Sequence, residues 1–233
     1  MKQATFSQHL EELIRRLLTY TAIFVIFSAI AFNFSDEFLN FLLKSVGKTI
    51  FLSVAEGFLI HIKIAFFLGF LISLPVLFYQ IWAFISSALK KIEIKLMKIY
   101  WFFSFFLFLV GIAFAYFIVL PLVLDFLLSY QRPAMQAELT INSYLGFLTT
   151  LLISFGIVFE LPLMIAFLTK LNIIGPGFLI KRRKFALLLI FIVAALLTPP
   201  DVVTQVLMAV PLLILYELSI ILSRIIARRR QPR

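Results

Sequence analysis

Apolar runs fill this chain almost without a break, and they decide which solvent it can fold in. Six stretches stand out, at residues 17–34, 58–82, 99–124, 144–168, 185–198 and 202–223. A helix crossing a bilayer needs about 20 mostly apolar residues, and five of the six meet or approach that length. Hydrophobic residues make up 63% of the chain, against roughly 45–50% in a soluble globular protein. A soluble fold of 233 residues cannot hide so much apolar surface, so lipid must solvate most of it. The expectation is an all-α integral membrane protein: one polytopic domain over residues 1–233 with six transmembrane helices and no soluble module. The fifth stretch is short. Its 14 residues reach only about 21 Å at 1.5 Å per residue, against a hydrocarbon core of about 30 Å. Pro199-Pro200-Asp201 follows it as a turn signal. A hairpin of short helices five and six that thins the bilayer locally is the simplest arrangement.

Lysine and arginine set the orientation. Going along the chain, the segments between apolar runs carry 3, 2, 4, 1, 5, 0 and 5 of them, with Lys63 inside the second run. That alternation puts both termini on the cytoplasmic side by the positive-inside rule, and it supports an even number of spans. The formal charge of +10 is therefore membrane topology, not a nucleic-acid footprint. Ala29-Ile30-Ala31 near the end of the first run resembles a signal-peptide cleavage site. The long preceding segment with Glu11 and Glu12, and the even topology, favour a retained helix.

Pro75, Pro121, Pro162 and Pro211 fall within apolar runs. Proline removes a helical hydrogen bond and kinks the helix, so a concave, glove-like bundle of bent helices is expected. In the outer loop 35–57, Phe38, Phe41, Leu42 and Val46 have the spacing of an amphipathic interfacial helix.

A few polar groups need a reason to be where they are. Glu160 lies deep in the fourth run, where a carboxylate costs several kcal/mol. It is either a docking point for a polar group of another helix, a proton or substrate site, or a partner in an internal hydrogen bond. Lys63 is a poor match for it, lying about 16 Å nearer the outer face by helical rise; Lys63 and His61 more simply snorkel outward. At the other end, Ser7 to Leu17 reads as a short amphipathic helix with Ser7 as N-cap. Its i,i+4 pairs, Glu11–Arg15 and Glu12–Arg16, are worth a few tenths of a kcal/mol each, unless one carboxylate serves to accept a guanidinium from a partner. Glu93 is an acid among Lys90, Lys91, Lys95 and Lys98, where the positive-inside rule asks only for bases. Lys181-Arg182-Arg183-Lys184-Phe185 reads as an anchor to the inner interface. There is no cysteine, no Walker A loop, no zinc spacing and no Ser-His-Asp set, so an enzyme is not expected, an intramembrane protease included.

Several of these segments carry a resemblance. His9-Leu10-Glu11-Glu12-Leu13 with Arg16, Leu74-Pro75-Val76-Leu77-Phe78-Tyr79-Gln80-Ile81-Trp82-Ala83-Phe84-Ile85, and Gly111-Ile112-Ala113-Phe114-Ala115-Tyr116-Phe117 are three of them. Phe159-Glu160-Leu161-Pro162 and Leu197-Thr198-Pro199-Pro200-Asp201-Val202 follow in order. Together they make the chain, from His9 to about Arg224, closely similar to the TatC family, the polytopic core of the twin-arginine protein translocase. The resemblance implies a receptor for signal peptides with two consecutive arginines, in a bacterial cytoplasmic membrane or its archaeal or organellar equivalent. It implies export of folded proteins on the proton motive force, with single-span TatA/TatB-type subunits as partners and with self-association, and without nucleic acid, cofactor, metal or catalytic residue. Signal-peptide binding would fall to Glu12 and Glu93, with Arg16 and His9, and partner-subunit contact to Glu160. Structural or assembly roles would fall to Pro75, Gln80, Pro199, Pro200 and Asp201. Guanidinium forks bind carboxylates bidentately, which lysine does less well. Ile14, Ser86-Ser87 and the lack of proline near residues 43–46 depart from the usual family pattern. The runner-up function, from the buried carboxylate alone, is a secondary transporter using Glu160 for proton coupling.

Overall fold

The structure, a computed structural model, describes the backbone of residues 6–43, 54–87, 91–129, 140–197 and 201–228. Side chains are described for residues 10–43, 55–86, 98–127, 129, 140–197 and 201–228. Among these residues the fold is helical and contains no β-strand. Helix α1 (Phe6–Ala31) passes through a 3₁₀ turn (Phe32–Phe34) into α2 (Ser35–Leu43). Helices α3 (Val54–Ser87) and α4 (Lys91–Phe114) follow. A π-turn (Ala115–Val119) links α4 to α5 (Leu120–Leu128). Next come α6 (Ile141–Phe159), α7 (Leu161–Lys170), α8 (Pro176–Lys181), α9 (Arg183–Leu197) and α10 (Val202–Arg228).

Among the described residues, five continuous helical stretches are long and apolar enough to cross a membrane: Leu10–Leu43, Ala55–Ser86, Lys98–Leu127, Ile141–Lys170 and Val202–Arg228. The 15-residue α9 occupies the sequence of the expected fifth span, and at about 22 Å it is shorter than the apolar core of a bilayer.

The start of the chain differs from the sequence expectation. The helix expected from Ser7 to Leu17 forms, but as the opening of α1, which runs unbroken from Phe6 and puts Ser7 in its first turn, not at the N-cap. Nothing between Ser7 and Leu17 breaks a helix, and acid–base spacing of four residues favours one. In the segment expected as the outer loop a helix, α2, forms, but, Leu42 apart, its buried face is not the one the periodicity marks. Its buried residues are Ser35, Leu39 and Leu42, Phe38 lies 6.2 Å from Phe67 of α3, and Phe41 stays exposed. Val46 lies outside the described residues.

The four internal prolines act on their helices in three ways. Pro75 and Pro211 sit inside α3 and α10, which continue past them. Pro121 follows the π-turn at Ala115–Val119, where a wider turn accommodates the missing N–H. Pro162 sits in the first turn of α7, and the helix breaks just before it, at Glu160.

The chain divides into two compact units, Met1–Phe105 with Glu138–Gly146 and Phe106–Ala137 with Phe147–Arg233. In the first, α1 and α2 pack on α3. Gly69 permits the α1–α3 approach, since a Cβ there would lie 2.6 Å from the Ser28 Cα. Cross-helix hydrogen bonds add to the packing. Trp82 Nε1 donates to Ser104 Oγ at 2.9 Å, Trp101 Nε1 to the Pro75 carbonyl at 2.8 Å, and Tyr20 and Ser73 share a bond of 3.2 Å. Such bonds are worth about 0.6–2 kcal/mol each between membrane helices. Lys63 bonds Asn142 at the start of α6, and His61 bonds Ser35 at the start of α2. In the second unit α10 packs on α5, α7, α8 and α9. Gly111 allows α4 to approach α6, where a Cβ would stand 2.6 Å from the Phe155 carbonyl oxygen. Thr169 and Ser223 share a buried bond of 2.9 Å.

Candidate functional site

In the first unit, the α1 segment carrying Glu11, Glu12, Arg15 and Arg16 faces α3 one turn beyond Pro75. The helical repeat puts Glu12 directly before Arg16 on one face. Arg16 donates from Nε (3.0 Å) and Nη2 (2.7 Å), both to Glu12 Oε1. Its Nη1 donates at 3.0 Å to Gln80 Oε1 of α3. The Arg16 and Glu12 side chains are 27% and 31% exposed, so this pair is screened less than a surface ion pair. Arg15, Thr19 and Tyr79 complete the walls of an open recess of about 480 Å³ with Glu12, Arg16 and Gln80. Across the Arg16–Gln80 bond lies a smaller apolar cavity of about 150 Å³, lined by Leu13, Leu17, Tyr20, Leu77, Ile81, Phe84 and Ile85 as well. The second i,i+4 pair does not form: Glu11 and Arg15 are exposed and make no ion pair among the described residues.

The structure thus unites Glu12, Arg16 and Gln80. Gln80 was expected only as a structural residue; its contact crosses 64 positions of sequence and has no local signature. The backbone of His9 lies in α1, one turn before Glu12, and that of Glu93 in the first turn of α4. The side chains of both lie outside the described residues, as do Pro199 and Pro200 entirely. Pro75 contributes its carbonyl to Trp101.

Two further carboxylates belong to the second unit, both just before a helix. Glu160 is half-buried between α6 and α7, with Oε1 out of reach of solvent. Its N–H donates to the Ile157 carbonyl at 3.1 Å, and its carbonyl accepts from Met164 N–H at 2.9 Å, so the backbone continues through the break. Asp201 is the N-cap of α10. Oδ1 accepts from the Thr204 N–H at 2.7 Å and Oδ2 bonds the Thr204 hydroxyl. These bonds, the hydroxyl's first and the backbone's second, hold the Asp201 carboxyl below its ordinary range.

One charge pair went unnoticed in the sequence. Glu217 of α10 accepts from Arg183 Nη2 of α9 at 2.6 Å. An acid inside an apolar run was the available signal. Next to it, the Arg182 guanidinium lies over the Phe178 ring at 5.9 Å and the Phe185 ring at 5.3 Å. No cluster of three or more potential metal ligands occurs among the described residues.

Residues 8–211 match the family described as "Sec-independent protein translocase protein (TatC)". The chain is 44% identical to the Sec-independent protein translocase protein TatC of Carboxydothermus hydrogenoformans over 97% of its own length and 95% of that protein's. It is 40% identical to the TatC of Aquifex aeolicus, covering 97% of each. A crystal structure described as the twin arginine translocase receptor TatC superposes with a TM-score of 0.85 at 41% identity, covering 94% of this chain and all of that one. With that match along nearly its whole length, and with the helical order and motifs described above, the chain belongs to the TatC family, the core subunit of the Sec-independent twin-arginine translocase.

Proposed function

We propose that this chain is the receptor for twin-arginine signal peptides and that it passes folded precursor proteins across the membrane on the proton motive force, without catalysing a reaction itself. It works as one polytopic membrane domain with six crossings and both termini in the cytoplasm, α9 and α10 forming the fifth and sixth. The alternation of lysine and arginine along the chain supports that topology.

The observation that carries the proposal is the half-buried Glu12 carboxylate opening into a recess on α1 and α3. Glu12 already accepts two N–H groups of the Arg16 guanidinium there, which supports guanidinium binding at this carboxylate. In the proposed mechanism Glu12 accepts one arginine of the peptide and Glu93 the other, with His9 at the edge. Glu160 contacts the single-span TatA/TatB-type subunits. The TatC relatives lend no support to a proton-coupled transporter at Glu160.

The test is binding of two synthetic signal peptides that differ only in Arg-Arg against Lys-Lys, to the full chain in lipid nanodiscs. The Arg-Arg peptide should bind at least about tenfold more tightly, and Glu93→Ala should weaken it. Equal binding of the two peptides would sink the proposal.

A further inference from the structure

We infer that Arg16 is an internal stand-in for the ligand's arginine: it occupies Glu12 in the resting chain, Gln80 holds it there, and peptide binding must displace it. This rests on the proposal that Glu12 accepts a peptide arginine. It adds a competitor built into the receptor, which sets both the affinity and the preference for arginine over lysine.

The geometry of the contact leads to this conclusion. A guanidinium and a carboxylate usually pair fork to fork, one N–H to each oxygen. Here both N–H groups of Arg16 converge on Oε1 of Glu12, at 3.0 and 2.7 Å. The pair is therefore less than fully satisfied, and a ligand able to use both oxygens has something to gain. A third N–H of Arg16 reaches Gln80 of the neighbouring helix at 3.0 Å. An ordinary i,i+4 pair on a helix surface has no such cross-helix tether. Gln80 is neutral, so it fixes the guanidinium without lending negative charge that would attract the ligand. Arg16 and Glu12 together carry no net charge, and Arg15 on the same wall adds a positive one. An incoming arginine thus meets a neutralised carboxylate beside a cation. Holding two forks on one carboxylate would put like charges side by side, so binding and release of Arg16 are coupled.

This arrangement also bears on selectivity. An ammonium is a point charge with no fork to offer in exchange. It can compete with Arg16 only for one oxygen, whereas a guanidinium can replace Arg16 with a better-matched fork. A receptor with an empty carboxylate would discriminate less.

The experiment measures binding of the Arg-Arg and Lys-Lys peptides to the full chain in nanodiscs, for the unaltered protein and for Arg16→Gln, Arg16→Lys, Gln80→Ala and Glu12→Gln. Arg16→Gln should tighten Arg-Arg binding about three- to tenfold and narrow the Arg/Lys ratio. Arg16→Lys keeps the charge and stem and should tighten binding about twofold. It answers the same question should Arg16→Gln fail to fold. Gln80→Ala should act in the same direction, also by about twofold. Weaker or unchanged Arg-Arg binding in the Arg16 variants would overturn the inference, because Arg16 would then support the ligand or ignore it. Glu12→Gln reports separately on the underlying proposal. If it leaves Arg-Arg binding intact, Glu12 is not the acceptor at all, whatever Arg16 does.

Discussion

Two regions of this molecule hold a carboxylate in an otherwise apolar helical frame, and they hold it by different means. In the first unit Glu12 sits within a regular helix and is tied by side chains, Arg16 on its own helix and, through it, Gln80 on the next. In the second unit Glu160 sits where the helix itself breaks. Pro162 removes one N–H from the first turn of α7, and Glu160, in the position before that helix, makes no side-chain cap to it. The contrast with Asp201 makes the point sharper. That shorter side chain, likewise just before a helix, turns back and caps α10 through Thr204. A carboxylate fixed by side chains can exchange partners without moving backbone. One at a proline break has its Cα position set by the helices on either side. The first is consistent with the proposed binding and release at Glu12.

The largest effect should come from the exchangeable site. Glu12→Gln keeps shape but loses charge, and affinity for an Arg-Arg signal peptide, measured by titration in nanodiscs, should fall at least about tenfold. The same peptide should bind Glu160→Ala normally, while co-purification of the single-span subunits with that variant drops several-fold. If Glu160→Ala weakened peptide binding as much as Glu12→Gln does, the division of labour between the two regions would be wrong.

A smaller effect concerns the frame. Gly111 lets α4 lie against the α6 backbone, and an added Cβ would meet the Phe155 carbonyl oxygen at 2.6 Å. Gly111→Val should therefore lower thermal stability in detergent by about 1–3 kcal/mol through overpacking. It should loosen the support of α6, which leads into Glu160, and leave the Glu12 recess unaffected. Peptide binding that fell along with stability would show that the two regions are coupled.

Much of this frame was legible in the sequence because lipid permits few alternatives. Apolar length identified the helices, and the internal prolines signalled irregular helices without telling the break at residue 160 or the turn before Pro121 from the helices that run on through Pro75 and Pro211. The helix at Ser7 to Leu17 is legible in its charge spacing; in the structure it is the opening of α1, continuous with the apolar run after it because nothing between them breaks a helix. The Glu12–Arg16 pair was readable from its spacing, while Glu11–Arg15, with the same spacing, does not form. The pair that forms is the one turned toward α3, where Arg16 also reaches Gln80, and no pattern along one stretch of sequence records that contact. The bond between Lys63 and Asn142 escaped for the same reason.

The smallest expected effect tests the third carboxylate, and pH is the means. Asp201 titrates below its ordinary range in the folded chain because the Thr204 bonds favour its charged form. A folded-state pKa lowered in this way contributes stability above the unfolded pKa of about 3.9 and loses it as pH falls through the folded value. Asn also caps helices well, so Asp201→Asn should retain the cap and remove only the charged part of the bond. The unaltered chain should then unfold at a slightly higher temperature than Asp201→Asn near neutral pH. That gap should close as pH drops below about 4. A gap that stayed constant with pH would mean that the carboxylate's charge plays no part. Asp201 would then share with Glu160 only its place before a helix, and its capping bonds to Thr204 would be no stronger than those of a neutral amide.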